Sequence, residues 1–342
     1  MPMSRSSSAA AEATTATADD ARELWQKRLS RAQHTLTSYR EATRYPPGSR
    51  PMAEQPDQMT PHHVAAVTLP LARKDGKLTD AKVTLEQDRL FLVGDERVTF
   101  SLTCVTSEGP ATCEVQRAMA GPSPDVSDAG ARAPVPITFA PAESHQAMRA
   151  LFQPSAQGFQ GYHGAIHVAL DLVVAGESGG ASFEVVYTPA APATFTGQVR
   201  ETLEQGSLGL HVEMNVIEPG RYVLAARVDD AEGRSFAYLS FNEELAAGRQ
   251  EANLTLFGKL IRDQGARAPF RLRDLEGFRL LPDTHPDREL IPALEGTVYT
   301  TKTYVLRDFS DAEWESEEKD RHVKELTKDV EEAKRRAESA AR

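Results

Sequence analysis

From Phe195 to Leu306 the chain keeps returning to one motif, a short run of alternating apolar residues closed by a turn. The runs are Leu208–Ile217, Tyr222–Val228, Phe236–Phe241, Ala252–Phe257, Phe270–Leu281 and Thr297–Leu306. Turn signals between them include Glu218-Pro219-Gly220, the segment from Asp229 to Gly233, and Asp263-Gln264-Gly265. A period of two turns one face of each segment to a core and the other to water. Many such strands at near-regular spacing predict an antiparallel β-sandwich. A second series, Ala81–Leu85, Leu90–Val93, Arg97–Cys104, Val135–Phe139, Ala165–Val174 and Ser182–Tyr187, predicts another sandwich upstream. The fold class expected is mainly β: two tandem Ig-like antiparallel β-sandwiches flanked by an N-terminal and a C-terminal α-helix.

At 342 residues the chain is long enough for two separate cores. Residues 1–18 are a low-complexity Ser/Ala/Thr segment expected to be disordered. Residues 19–61 read as a helix and a Pro-rich linker, 62–190 as the first sandwich, 191–308 as the second, and 309–342 as a charged helix. Thr188-Pro189-Ala190-Ala191-Pro192 marks the boundary between sandwiches, since proline cannot sit in a central strand. Residues 119–134 read as a long loop and Ser144–Phe152 as one or two turns of helix.

In the first helix, capped by Asp19 and Asp20, the residues Trp25, Leu29, Ala32, Leu36 and Tyr39 form one apolar seam. Two heptads are short for a coiled coil, so this helix is expected to pack on the protein's own sandwich. Trp25 and Trp314 are each read as anchoring a flanking helix. Ser310-Asp311-Ala312-Glu313 reads as a capping box opening the last helix. Its seam of Val323, Leu326, Val330, Ala333, Ala337 and Ala340 fits either a solvated helix or an oligomer contact.

The net charge of −11 argues against nucleic acid, which needs a basic face to displace counterions. No stretch approaches the roughly 18–20 apolar residues of a membrane helix. Cys104 and Cys113 flank the turn Ser107-Glu108-Gly109-Pro110, a spacing that suits a disulfide across one hairpin, with two free thiols as the alternative. A bridge implies an oxidising compartment.

Reaction chemistry finds little footing. His163 and His167 lie on a predicted strand, where four residues span about 13 Å, too far for one metal. His62-His63 precede a strand, and Asp125, Asp128, Glu143 and Glu177 have no ligand spacing. Asp229-Asp230 fits turn chemistry better than a calcium site. Gly158–Gly164 is glycine-rich but is followed by a strand, so it is no phosphate cradle. Its aromatics Phe159 and Tyr162, together with Trp314, are the candidate partner contacts. Asn253-Leu254-Thr255 fits a glycosylation sequon inside a strand pattern. No nucleophile, metal or nucleotide motif occurs, so neither catalytic residue nor cofactor nor metal is assigned and the protein is expected not to be an enzyme. The rival reading is a carbohydrate-binding sandwich using Phe236, Tyr238 and Phe241. A hydrolase comes third, needing a nucleophile beside a histidine in a pocket.

Several segments resemble one family. They are Tyr39–Pro51, Gly220–Gly233, Leu254–Asp263 and Phe309–Trp314. Together they resemble uncharacterised proteobacterial envelope proteins with a choice-of-anchor X β-sandwich domain. The resemblance implies a periplasmic protein held in the inner membrane by one N-terminal helix, with a structural or protein-binding role. Nothing before Asp19 is apolar enough for that anchor, so membrane attachment is expected only through a segment absent from this sequence. Related domains carry an acidic Gly/Asp loop suited to calcium; Pro134–Gln153 has no such run, and no metal is carried over. The expected partners are envelope proteins, with oligomerisation through the terminal helices as a further option.

Overall fold

The computed structural model describes residues 6–61, 64–73, 76–124, 132–142 and 147–340. Helix α1 (Ser6–Ala42) leads into a short strand, β1 (Ser49–Pro51). The first sandwich comprises β2 (Val67–Ala72), β3 (Leu78–Gln87), β4 (Phe91–Val93), β5 (Val98–Thr106), β6 (Gly109–Ala111) and β7 (Cys113–Pro122). It continues with β8 (Val135–Pro136), β9 (Ala140–Pro141), β10 (Ala147–Phe152), β11 (Gly164–Val174) and β12 (Glu177–Thr188). The second comprises β13 (Ala193–Glu204), β14 (Ser207–Val216), β15 (Gly220–Asp229), β16 (Ser235–Leu245), β17 (Gly248–Leu256), the short helix α2 (Gly258–Asp263), β18 (Arg271–Leu280) and β19 (Arg288–Thr300). Helix α3 (Glu317–Ser339) follows.

In the first sandwich one layer runs β2-β3-β5-β10-β9 and the other β8-β7-β11-β12. The layers join along one edge through the pair Gly180–Ala72. Alternate residues of β5 (Val98, Phe100, Leu102) and of β11 (Ile166, Val168, Leu170) share one core. In the second sandwich β13-β14-β17 pack over β16-β15-β18-β19, an Ig-like split. Leu208, Leu210, Val212 and Met214 meet Tyr222, Leu224, Ala226 and Val228 there.

The chain reaches this second sandwich before it builds the first. β1 pairs antiparallel with β16, Ser49 opposite Leu239 and Pro51 opposite Ala237. Residues read as linker thus form the edge strand of a distant domain, and the first sandwich is an insertion between β1 and β13. Pro51 lacks an amide and blunts that edge.

The helices depart further from expectation. α1 does not pack on a sandwich; it pairs with α3. The Tyr39 and His322 rings meet at a tilt, 5.7 Å between centroids, and the Arg336 guanidinium lies 5.7 Å from the Trp25 ring. The two contacts lie equally far apart along each helix, so the pair is antiparallel and in constant register. Trp25, Leu29, Ala32, Leu36 and Tyr39 are all half-buried, and Ala333 of the opposing seam is buried. Each seam, too weak alone, covers the other. α1 also opens at Ser6 rather than Asp19, because the Ala-rich run before Asp19 has high helix propensity.

α3 opens not at Ser310 but at Ser316, whose Oγ accepts from the Lys319 amide at 3.1 Å, with Glu317, Glu318 and Asp320 in the first turn. Ser310 instead gives its amide to the Gly206 carbonyl at 2.9 Å, which ties it to the β13–β14 turn. Residues 147–152 are the strand β10, not a helix, because Ala147, Ala150 and Phe152 are needed in the core beside β5. β19 starts before and ends before the run expected at Thr297–Leu306.

Candidate functional site

In the second sandwich the β15 strand buries its outer face as well as its inner one. On β15 the inward residues Tyr222, Leu224, Ala226 and Val228 alternate with Val223, Ala225 and Arg227, and Arg227 is fully buried. The cover is the stretch 55–61 together with the inserted sandwich. The Arg227 Nε donates to the Gln58 carbonyl at 2.6 Å and one terminal nitrogen to the Gln58 side-chain oxygen at 2.9 Å. The other donates to the Asp274 carbonyl at 3.1 Å and pairs with Glu276 at 2.6 Å. The group also lies 5.5 Å from the Tyr238 ring. Burial pushes the Tyr238 phenol above its usual range, against the pull of Arg227.

Beside this bolt a cavity of about 590 Å³ opens between the sandwiches. Its floor is Val223, Ala225 and Phe278 of the second sandwich; its roof is Leu90, Phe91 and Val93 of the first. Leu90 and Phe91 stand exposed at its mouth, Phe91 at 46%. Arg89 spans it, pairing with Glu96 at 3.8 Å and with Glu295 across the junction at 3.4 Å. The Arg89 Nε is buried with no acceptor. The junction itself is held by Thr188, whose Oγ1 accepts from the Leu290 amide at 3.1 Å while its carbonyl accepts from Gly94 at 2.9 Å. His163 Nε2 sits 3.1 Å from the Arg288 carbonyl. An apolar cleft with one orphaned donor suits an apolar side chain that brings a hydrogen-bond acceptor. No cluster of three or more metal-ligating side chains exists among the described residues.

Cys104 and Cys113 are bonded, both buried, with Cα atoms 5.5 Å apart. The geometry differs from a bridge across one hairpin. Cys104 sits opposite Ala111 on β6, while Cys113 begins β7 in the other layer, so the bond ties the two layers together.

Phe159 is not a surface contact. It is fully buried, packed edge-on to Phe152 at 5.8 Å, because the Gly158–Gly164 segment folds its rings inward. Tyr162 is half-buried and donates to the Ala165 carbonyl at 2.8 Å, with the Arg132 guanidinium 5.6 Å from its ring. Trp314 is half-buried on an extended segment before α3, not on a helix; its amide donates to the Arg44 carbonyl at 3.0 Å.

Phe236 and Phe241 are core residues and Tyr238 lines the cavity, so no exposed ring platform forms there. His167 pairs with Glu184 in the sheet, away from His163. Asp229 takes Arg273 at 3.0 Å, and Asp230 caps its turn through the Glu232 and Arg234 amides, both at 3.0 Å. Glu177 pairs with Arg73. His62, His63, Asp125, Asp128 and Glu143 lie outside the described residues. The sequence reading missed Arg227; the usable signal was a charged residue within the apolar run from Tyr222 to Val228.

Fold and cleft define a two-sandwich protein with a paired-helix stem. No family model matches the chain, and no curated protein matches it. Among solved structures, a DUF4785 family protein from Legionella pneumophila aligns at 12% identity and TM-score 0.44 over 67% of this chain. The chain spans 58% of that protein's length. Fibronectin(III)-like modules of CbhA from Clostridium thermocellum align at 12% identity and TM-score 0.26, over 62% of this chain and 90% of theirs. Latent PorU from Porphyromonas gingivalis aligns at 12% identity and TM-score 0.21, over 63% of this chain and 20% of its own. The architecture stands on the strand pairing described above.

Proposed function

We propose that this is a non-enzymatic protein of the bacterial cell envelope, periplasmic, that docks a second envelope protein in the cleft between its sandwiches. One observation carries the reading: Leu90 and Phe91 lie exposed at the mouth of an apolar cleft in which the Arg89 Nε lacks an acceptor. Exposed aromatic and aliphatic anchors beside a pocket are where partners bind. The buried disulfide supports an oxidising compartment, and the resemblance to choice-of-anchor X envelope proteins points the same way. The inserted sandwich acts as a jaw set at a fixed angle by Arg227 and Thr188.

The test is a photocrosslinker, p-benzoylphenylalanine, in place of Phe91, activated in intact cells. The expected result is one discrete protein adduct, lost when Ala225→Trp fills the cleft. No adduct, or an adduct that persists with the cleft filled, overturns the docking role.

A further inference from the structure

A second cleft, of about 450 Å³, lies on the opposite side of the second sandwich, at the foot of the helix pair. Its base is the outer face of β13-β14-β17. Register places Thr202, Gly209 and Thr255 in one row across the three strands, and His211 and Asn253 opposite each other in the next. At Gly209 an added Cβ would stand 2.9 Å from Thr202 Oγ1 and 3.1 Å from both Asn253 Oδ1 and His211 Nε2. Three side-chain heteroatoms therefore converge over a residue that has no side chain of its own, and an added one would push them apart.

Trp314 forms the wall. The segment bearing it is fixed at three points: Ser310 to the Gly206 carbonyl at 2.9 Å, the Trp314 amide to Arg44 at 3.0 Å, and Lys319 Nζ to the Trp314 carbonyl at 2.7 Å. Such anchoring lowers the entropy lost on binding. Asn253 is exposed and spends its amide only on Thr255 Oγ1, at the long distance of 3.5 Å.

The lining selects a ligand class by what it offers and what it lacks. No Lys or Arg occurs among its described residues, and Glu204 is its one acid, so a phosphate or carboxylate finds no counter-charge. Apart from Trp314, Phe257, Pro46, two glycines and Glu204, the described lining side chains are hydroxyls and amides, which do not solvate an acyl chain. A flat aromatic face beside neutral donors and acceptors matches a neutral sugar ring, with its apolar C–H face and its hydroxyl edge.

We propose that this cleft binds a neutral saccharide, stacked on Trp314 and hydrogen-bonded by Asn253, Thr255 and Thr202. The site is separate from the cleft between the sandwiches. It is built for binding. Thr202 Oγ1 meets His211 Nε2 at 2.9 Å, but the Glu251 carboxylate is 3.9 Å from His211 Nδ1 and is held by Arg200 at 2.7 Å, so the imidazole lacks the hydrogen-bonded third group of a triad. β14 is also paired on both sides, which leaves no free strand amides for an oxyanion.

The test is a titration of the whole chain carrying Trp25→Phe, which leaves Trp314 as its single tryptophan, with maltose, cellobiose, lactose and N,N′-diacetylchitobiose. At least one sugar is expected to shift Trp314 fluorescence saturably, with saturation-transfer NMR marking its ring protons. Asn253→Ala is expected to weaken that binding about tenfold, as loss of one or two hydrogen bonds requires. Trp314→Ala, read by NMR, is expected to abolish it while the thermal transition of the sandwiches stays put. No response to any of the four sugars overturns the proposal. So does binding that survives both substitutions, or equal displacement by inorganic phosphate.

Discussion

The Arg227 guanidinium and the Gln58 backbone carbonyl, 2.6 Å apart, join residues that lie on either side of an entire inserted domain. One end of the insertion is thereby locked to the sheet of the second sandwich. The other end is locked by Tyr222, whose hydroxyl donates to the Pro192 and Glu218 carbonyls at 3.0 and 2.6 Å. Both linkers of the inserted sandwich are pinned to one strand, β15.

Arg227→Ala strands Glu276 without its partner and leaves the Gln58 and Asp274 oxygens bare. A loss of about 1–3 kcal/mol in denaturant unfolding is expected, the cost of leaving buried acceptors unsatisfied, since Glu276 keeps partial access to water. Arg227→Met fills the space with an apolar chain but satisfies none of those oxygens, so it should fall between Ala and wild type.

Burial pushes the Tyr222 phenol up to about 12. The unfolded value is near 10, so the folded state favours the neutral form. The resulting stability is complete below pH 10 and is lost as pH rises through about 12. Tyr222→Phe should therefore unfold more readily at pH 7, and its deficit relative to wild type should shrink between pH 10 and 12. A constant deficit across that window refutes the assignment.

Replacing Cys104 and Cys113 together by alanine removes a short closed loop; the sequence separation is 9. The chain-entropy cost is about 2–3 kcal/mol. Hydrogen exchange should rise in β5 and β7 and their neighbours, while β13–β19 keep their protection.

Ala333→Asp places a carboxylate in the seam between α1 and α3. The two helices should fray together at a cost of about 1–3 kcal/mol, seen as lost far-UV helicity and a shifted Trp25 emission. If only α3 loses protection from exchange, the helices are not coupled.

Much of this was legible in advance. Five of the six apolar runs located strands of the second sandwich to within a few residues, because one buried face imposes a period of two; the sixth, Thr297–Leu306, caught only the end of β19. Both helix seams were read residue by residue, from Trp25 to Tyr39 and from Val323 to Ala340. Their meeting was not legible, because a seam records that something covers it and not what. Phe159 misled for a related reason: a glycine-rich segment looks like surface, yet its turn carries the ring inward against Phe152.

The sequence by itself determined the local periods: two residues in the sandwiches, about 3.6 in the flanking helices, and the turns that separate them. These follow from each segment's own covalent geometry and polarity. Only the tertiary structure decided that β1 completes the edge of a sheet almost two hundred residues away, Arg50 facing Tyr238 across the pair, and that an arginine within an apolar strand is a buried bolt. It also decided that Gly209, Asn253 and Trp314 border one cleft. Such facts belong to pairs of surfaces, and a chain shows its second surface only once folded.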